Sequence, residues 1–411
     1  MNQEKRYLLW GIMHARSKHW THRIDWVLLL ALIGLASIGV AFIYSAASVH
    51  GITDPEHWFQ HRFVRQIFAC VLGFGFAVGV CFVDYHLIAR WSMLFYWGAI
   101  IALLVVLFFD PIHGARRWLS LGPIRLQPSE FSKIATICAL GHFLSRPLDE
   151  LRLPSLFFQT LGLIGLPFCL ILIEPDLGSS LVLIPVGLVM MFIAGIPKIY
   201  LARLVSGSLL VLSLVVVDTL FFPKLLPVVQ LEEYQKNRLR VYFGMSFAPP
   251  NATQAEKRKA DREEREFSYN VNQALISVGS GGMTGKGWCQ GTQNALGYLP
   301  KPVAHNDFIF SVIAEEWGFL GSMTVLLLNG VVIIQGLRIA SQARDRMGKV
   351  IATGVVMLWF SHVFINIGMN IRLMPVTGLP LPLLSYGGSS ALSFMMAMGL
   401  LQNVKIYKRN Y

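Results

Sequence analysis

The chain has 411 residues, of which 54% are hydrophobic and 14% charged, with a mean hydropathy of +0.55. Soluble globular chains carry about 25% charged residues, so this one lacks a solvated surface; disordered, collagen-like and disulfide-framework classes are excluded by the same figures. Composition points to an integral membrane protein, and the net charge of +12 then reads as basic loops facing the cytoplasm rather than as a nucleic-acid footprint.

A membrane helix needs about 20 mainly apolar residues, because the hydrocarbon core is about 30 Å thick and each residue rises 1.5 Å. Ten runs are candidates: 26–46, 64–83, 88–109, 131–144, 156–173, 177–195, 199–222, 308–337, 350–371 and 383–404. The fourth is too short by itself and is expected to extend back into the polar run before it. The period-2 alternation of barrel strands is absent. The expected fold class is therefore all-α, a polytopic membrane bundle of about ten transmembrane helices. Residues 1–25 are polar and basic, so no cleavable signal peptide is expected. Cys70, Cys81, Cys138, Cys169 and Cys289 are scattered without CxxC spacing, which supports neither a zinc site nor a disulfide framework.

Lys/Arg asymmetry sets the orientation. Seventeen basic residues fall on the termini and alternate connections of one side, Lys5, Arg6 and Lys405 among them. Six fall on the other: Arg62, Arg65, Arg116, Arg117, Arg125 and Arg372. Both termini are expected to be cytoplasmic, with residues 1–25 a cytoplasmic segment, 26–404 the transmembrane domain and 405–411 a cytoplasmic tail. Residues 223–307 then form a large extracytoplasmic loop between helices 7 and 8; connections this long are usually functional. Within it, Gln254–Glu266 (QAEKRKADREERE) reads either as a solvated helix or spacer, or as a partner-docking surface.

The stretch Gly114–Lys133, GARRWLSLGPIRLQPSEFSK, places Arg116, Arg117 and Arg125 on the outer face. Gln127, Pro128, Ser129, Glu130 and Lys133 follow at the start of the fourth helix. Pro128 suits a first helical turn, and Glu130 meets the positive end of the helix dipole. Glu130 and Lys133 lie three apart on one face. They are either an internal ion pair or part of an Arg-lined pocket for an anionic head group. Glu174-Pro175-Asp176 is either a cap on the sixth helix or a pair of oxygen ligands for a divalent cation bridging to a phosphate. Ser277–Gln293 (SVGSGGMTGKGWCQGTQ) fails the phosphate-loop pattern at Ser280 and Gly287. It is expected to be a flexible glycine-rich loop, with Lys286 reaching toward an anion. In His305-Asn306-Asp307-Phe308, Asp307 is either a cap on the eighth helix or a general base tuned by apolar neighbours. Arg372–Pro382 (RLMPVTGLPLP) leads into Ser385–Ser390 (SYGGSS), a broken backbone of the kind that lines cavities at membrane depth. It is expected to face the same cavity as the arginines.

Taken together and in order, GARRWLSLGPIRLQPSEFSKIA, EPDLGSSLVL, GSGGMTGKG, HNDFIFSVIAEEWGFLG and GLPLPLLSYGGSS resemble the SEDS (shape, elongation, division and sporulation) family of bacterial cell-wall proteins. Gly291–Gln293 (GTQ) and the leucine-containing GLPLP look closer to the rod-elongation (RodA) branch than to the division (FtsW) branch. The resemblance implies a ten-helix fold and a peptidoglycan glycosyltransferase of the cytoplasmic (inner) membrane. That activity polymerises lipid II into β-1,4-linked glycan strands during cell elongation and cell-shape maintenance. By resemblance the family's essential acid falls on Asp307, with Asn306 where Thr is usual. Its functional arginine falls on Arg117, a basic position on Arg125, its charged pair on Glu130 and Lys133, and its EPD acid on Asp176. Gln127, Ser129, Lys286, Arg372 and Ser385 complete the substrate-binding candidates, and a divalent cation (Mg or Mn) near Asp176 is the cofactor considered.

The partners implied are lipid II, the lipid-linked glycan strand, a class B penicillin-binding transpeptidase, the elongation machinery and membrane lipids; no nucleic acid is expected. The expected chemistry inverts the anomeric centre: Asp307 takes the proton of the acceptor 4-hydroxyl while Arg117 and Arg125 neutralise the departing pyrophosphate. A lipid II flippase, a secondary transporter, a recruiting scaffold and the septal member of the same family are the rival readings.

Overall fold

The computed structural model describes residues 23–48, 61–110, 116–121, 124–221, 233–245, 247, 253–299 and 304–408. Lys5, Arg6, Arg16 and Lys18, on which part of the orientation rests, lie outside the described residues.

All ten apolar runs fall on helices. The first two are α1 (Trp26–Ser48) and α2 (Arg62–Phe82). The third is split at Trp91 (φ −90°, ψ 0°) into α3 (Tyr85–Arg90) and α4 (Ser92–Val106). The chain expected to be one helix there carries Asp84 as an N-cap, accepting from the His86 amide at 3.0 Å, and Ser92 Oγ bonds back to the Ala89 carbonyl at 2.5 Å. Such local side-chain bonds compete with an unbroken ladder. Next come α5 (Pro128–Phe143), the short α6 (Leu148–Leu151), α7 (Pro154–Ile173), α8 (Leu177–Ala194) and α9 (Lys198–Phe221). As expected, α5 reaches back to start on Pro128, whose missing N–H is no loss in a first turn.

The long connection holds α10 (Glu233–Phe243), α11 (Gln254–Ser280) and α12 (Thr292–Ala295). The charged run Gln254–Glu266 is the first half of α11, whose second half buries Val271, Ala274 and Ser277 as it packs on the next helices. These are α13 (Ile309–Gln342) and α14 (Arg346–Asn370), followed by α15 (Gly388–Tyr407). The rest of the described structure includes a two-stranded antiparallel ribbon, β1 (Leu119–Leu121) with β2 (Ile124–Leu126), in which Ser120 pairs with Arg125.

Helix α14 is the axis of the bundle, packed against α13, α8, α5 and α11. Its Trp359 is fully buried and donates to Asn329 Oδ1 of α13 at 3.0 Å. Helix α15 runs along α2, where Gly399 leaves no room for a side chain against the Ala77 backbone. This is the small-residue contact that lets membrane helices approach closely. Outward faces carry exposed Phe68, Phe82, Leu94, Phe158, Ile173 and Ile334. Among the described residues six helices, α1, α2, α7, α8, α13 and α14, are long and apolar enough to cross a membrane. The protein is a multi-pass membrane protein.

One end of the bundle is tied by ion pairs. Lys405 Nζ meets Asp25 Oδ2 at 2.6 Å, Arg23 donates to the Ile406 carbonyl at 3.2 Å, and Tyr85 donates to Asp345. The start of α1 and the end of α15 therefore share one face. A 20-residue helix is about 30 Å long, so the start of α15, at Gly388, lies at the opposite end.

Candidate active site

The irregular segment 372–387 between α14 and α15 is the hub of that opposite end. Helix α14 holds it with a stripe of polar side chains one turn apart: His362, Asn366 and Asn370, each fully buried. His362 Nδ1 bonds the Pro380 carbonyl at 3.2 Å, and Asn366 Nδ2 donates to the Leu379 carbonyl at 2.7 Å. The same two asparagines also clamp Asp307. Asn366 and Asn370 donate to its main-chain carbonyl at 3.0 and 3.1 Å, and Ser311 orients Asn370 through a 2.6 Å bond to its Oδ1.

Asp307 does not cap α13; Phe308 occupies that position. Its half-buried carboxylate lies against Gly378, where a Cβ would stand 3.6 Å from Oδ2. Gly378 has φ +76°, the left-handed region that favours glycine. Ser385 Oγ donates to the Asn306 carbonyl at 2.6 Å and accepts the Leu381 amide at 2.8 Å. It thus laces the motif to the loop. Helix α2 closes the same corner. Gln66 bridges the Ser385 carbonyl (3.3 Å) and the Gly387 amide (3.1 Å), and Arg62 lies 3.2 Å from His305 Nδ1.

Arg117 gathers the EPD turn. Its guanidinium donates to the Glu174 carbonyl at 3.2 Å and to the Pro175 carbonyl, and lies 3.8 Å from Asp176 Oδ1. Asp176 caps α8 through the Ser179 amide at 3.2 Å and accepts from Gln127 Nε2 at 3.1 Å. Ser389, at the start of α15, accepts from the Gln127 amide at 3.2 Å and donates to the Arg125 carbonyl at 2.9 Å, leaving the Arg125 side chain exposed. Gly178 lets the N-terminus of α8 press on Thr377 and Leu379, where any side chain would collide. Two centres, Arg117–Asp176–Gln127 and Asp307, therefore contact one loop, at Thr377–Leu379.

Glu130 and Lys133 lie behind this surface. Both are at most 2% exposed; Lys133 Nζ sits 2.7 Å from Glu130 Oε1 and 3.0 Å from His362 Nε2, and Ser393 donates to Glu130 Oε2 at 3.1 Å. An ammonium only donates, so Nε2 accepts and Nδ1 carries the proton given to Pro380. The pair is an internal strut reaching the loop through His362. Buried Ser129 Oγ has no partner among the described residues.

Glu174 is fully buried and its carboxyl oxygens have no hydrogen-bond partner among the described residues. Burial, with the Asp176 charge adding to it and Arg117 opposing, pushes this carboxyl up to about 8 from its ordinary 4.5. The folded chain thus keeps a proton that the unfolded chain releases, and stability falls as pH rises from about 4.5 to about 8. Glu174→Gln is expected to remove that contribution, so that melting in detergent falls less between pH 5 and about 8 than it does in the native chain. An unchanged slope in the variant would refute the assignment.

Two candidates lie elsewhere. Lys286 is not reaching out: its Nζ is engaged by Glu315 Oε1 at 2.6 Å, Thr292 Oγ1 at 2.6 Å and Ser280 Oγ at 2.9 Å. Nor is its glycine-rich segment loose, because backbone bonds dock it on α13. Arg372 has φ +60° and donates to Asn272 Oδ1 (3.5 Å) and the Val241 carbonyl (3.2 Å), tying the loop to α11 and α10. The divalent cation finds no ready cage. Among the described residues no three His, Cys, Asp or Glu side chains cluster, and both oxygens of Asp176 are already engaged; no step is assigned to a metal.

Reading from sequence missed Gln66 and the His362/Asn366/Asn370 stripe. Polar residues at i, i+4 and i+8 in an apolar span were the available signal, since such groups face the interior of a bundle.

The FTSW_RODA_SPOVE cell cycle protein model matches residues 25–410. The chain is 32% identical to "Peptidoglycan glycosyltransferase RodA" of Treponema pallidum, over 92% of this chain and 97% of that one. It is also 32% identical to "Probable peptidoglycan glycosyltransferase FtsW" of Trichlorobacter lovleyi, over 92% of each. A structure reported under "Structural coordination of polymerization and crosslinking by a peptidoglycan synthase complex" superposes with a TM-score of 0.74 at 26% identity, covering 94% of this chain and 99% of that one. With a family match over almost its whole length and relatives at 32% identity across more than nine-tenths of it, the chain belongs to the FtsW/RodA/SpoVE family of cell cycle proteins, the SEDS proteins of its sequence motifs.

Proposed function

We propose that this chain, a peptidoglycan glycosyltransferase of the elongation type, polymerises lipid II at the outer surface of the inner membrane with Asp307 as general base. The observation that carries the proposal is the mounting of Asp307. Its main chain is pinned by two buried asparagines, and its half-buried carboxylate lies against Gly378 of the loop that the Arg117 turn also meets. A general base needs such a fixed backbone, which holds the proton-accepting oxygens in one place.

The acceptor 4-hydroxyl attacks the anomeric carbon of the donor and passes its proton to Asp307. The bond from that carbon to the pyrophosphate oxygen breaks, the pyrophosphate leaves on its lipid, and direct displacement converts an α-linked donor into a β-1,4 product. Arg117 and the exposed Arg125 meet the charge that develops on the leaving group. Asp176, itself held by Gln127, faces the Arg117 guanidinium and keeps it in place. Glu174 keeps its proton at neutral pH, so the turn carries one acidic charge against Arg117 instead of two and does not repel a pyrophosphate.

A class B transpeptidase is the proposed partner, supported by the likeness to a complex that couples polymerization to crosslinking. The elongation machinery and a growing lipid-linked strand complete the assembly, and both termini are placed in the cytoplasm.

Purified chain mixed with purified lipid II in detergent is expected to release one polyprenyl pyrophosphate per linkage and to build glycan that a β-1,4-muramidase digests. Intact lipid II in that assay, together with transfer of labelled lipid II between leaflets of a vesicle, would favour the flippase instead.

A further inference from the structure

We infer that half-buried Lys286 and buried Glu315 form a clamp that positions Asp307, by locking the glycine-rich segment into a break in the helix that follows it. The inference rests on Asp307 being the base.

Helix α13 is interrupted at Gly318 (φ 64°, ψ −156°). In a continuous helix the amides of Phe319 and Leu320 would bond the carbonyls of Glu315 and Glu316. Instead Phe319 donates to the Gly282 carbonyl at 2.8 Å and Leu320 to the Met283 carbonyl at 3.1 Å. The two freed carbonyls accept the amides of Lys286 (3.1 Å) and Gly287 (3.0 Å). The segment is thus spliced into the helix ladder by four backbone bonds, and every group left over by the break is satisfied. The close approach demands glycine on both sides. A Cβ at Gly318 would strike Gly285 and Met283, and one at Gly285 would strike the Glu316 carbonyl.

Side chains lock the splice. Glu315 is fully buried, and its Oε1 takes Lys286 Nζ at 2.6 Å, Thr292 Oγ1 at 3.0 Å and the Gln293 amide at 2.9 Å. Its Oε2 has no hydrogen-bond partner among the described residues, so Lys286 is the group that compensates its charge. Glu316 extends the lock to α1: Oε1 accepts from Ser45 at 2.5 Å and Oε2 from the Cys289 amide at 3.0 Å.

The short helical piece Ile309–Trp317 therefore has two fixed ends. At its start, next to Asp307, Ser311 is bonded to Asn370; at its finish stands the splice. A shift at the second end moves the first, because helix segments translate as rigid units. Lys286 is consequently a positioning residue. Its ammonium is spent on Glu315 and does not touch substrate.

The test compares native chain, Asp307→Asn, Lys286→Met, Glu315→Gln and the double variant Lys286→Met/Glu315→Gln, in lipid II polymerisation and in labelling of Cys289 by a membrane-impermeant maleimide. Lys286→Met strands a buried carboxylate. It is expected to lower kcat by about tenfold or more with KM nearly unchanged, as small misplacements of a catalytic group do, and to speed labelling of Cys289. The double variant removes the stranded charge and is expected to regain most of both. A raised KM with native kcat, no recovery in the double variant and native labelling would make Lys286 a ligand contact and overturn the clamp. Native kcat and labelling in every Lys286 and Glu315 variant would also overturn it. An active Asp307→Asn would instead overturn the base assignment, and labelling of Cys289 would still report the clamp independently.

Discussion

Asp307→Asn is expected to lower kcat for lipid II polymerisation by about 10²–10⁴-fold, the usual loss when a general base is removed, with KM and melting temperature close to native. The structure separates the two effects. The bonds from Asn366 and Asn370 reach the Asp307 carbonyl, not its side chain, so they survive the substitution. The amide has the shape of the carboxylate and still faces Gly378 across an ordinary contact distance. What the amide lacks is the capacity to take a proton. Kinetics on purified lipid II beside a thermal melt check this; near-native turnover would remove Asp307 from the chemistry. By contrast, Asn366→Leu keeps the carboxyl group but deletes one of the two donors that fix its backbone, and is expected to reduce kcat by loosening its position.

Lys133→Met is expected to destabilise the fold by about 3–5 kcal/mol, the range for breaking a buried ion pair by removing one partner. Glu130 would be left at 2% exposure with Ser393 still donating to it, and His362 Nε2 would lose the ammonium it accepts from. The loop carbonyl of Pro380 hangs on the same imidazole, so damage spreads to the segment that faces Asp307. Lys133→Met/Glu130→Gln should recover much of the loss, because the stranded charge is gone. Thermal melts of the single and double variants measure the coupling. A substrate contact would behave otherwise, raising KM with an unchanged melt.

How much of this was legible beforehand differs from residue to residue. The apolar runs coincide with helices because length and hydropathy are local properties, and Pro128 marked the start of α5 through its own covalent geometry. Asp176 offered two readings from sequence, and the helix cap is realised in the Ser179 amide bond. Lys286 was misjudged for a physical reason. A glycine-rich string looks flexible until a partner backbone is supplied, and that partner, the break at Gly318, lies more than thirty residues away. The split at Trp91 was hidden because the run is apolar throughout, while the cap at Asp84 and the Ser92 back-bond become visible only as hydrogen bonds.

By itself the sequence determined a multi-pass helical bundle, the order of its spans and the motif residues able to bear protons and charge. These follow from composition, spacing and side-chain chemistry, which any chain carries with it. Tertiary structure alone decided which of those residues act together. It placed Asp307 and the Arg117–Asp176 turn on one loop, withdrew Glu130 and Lys133 into a strut, and set Lys286 against Glu315. Contacts between residues tens to hundreds of positions apart depend on how helices pack, and packing is a property of the folded chain as a whole.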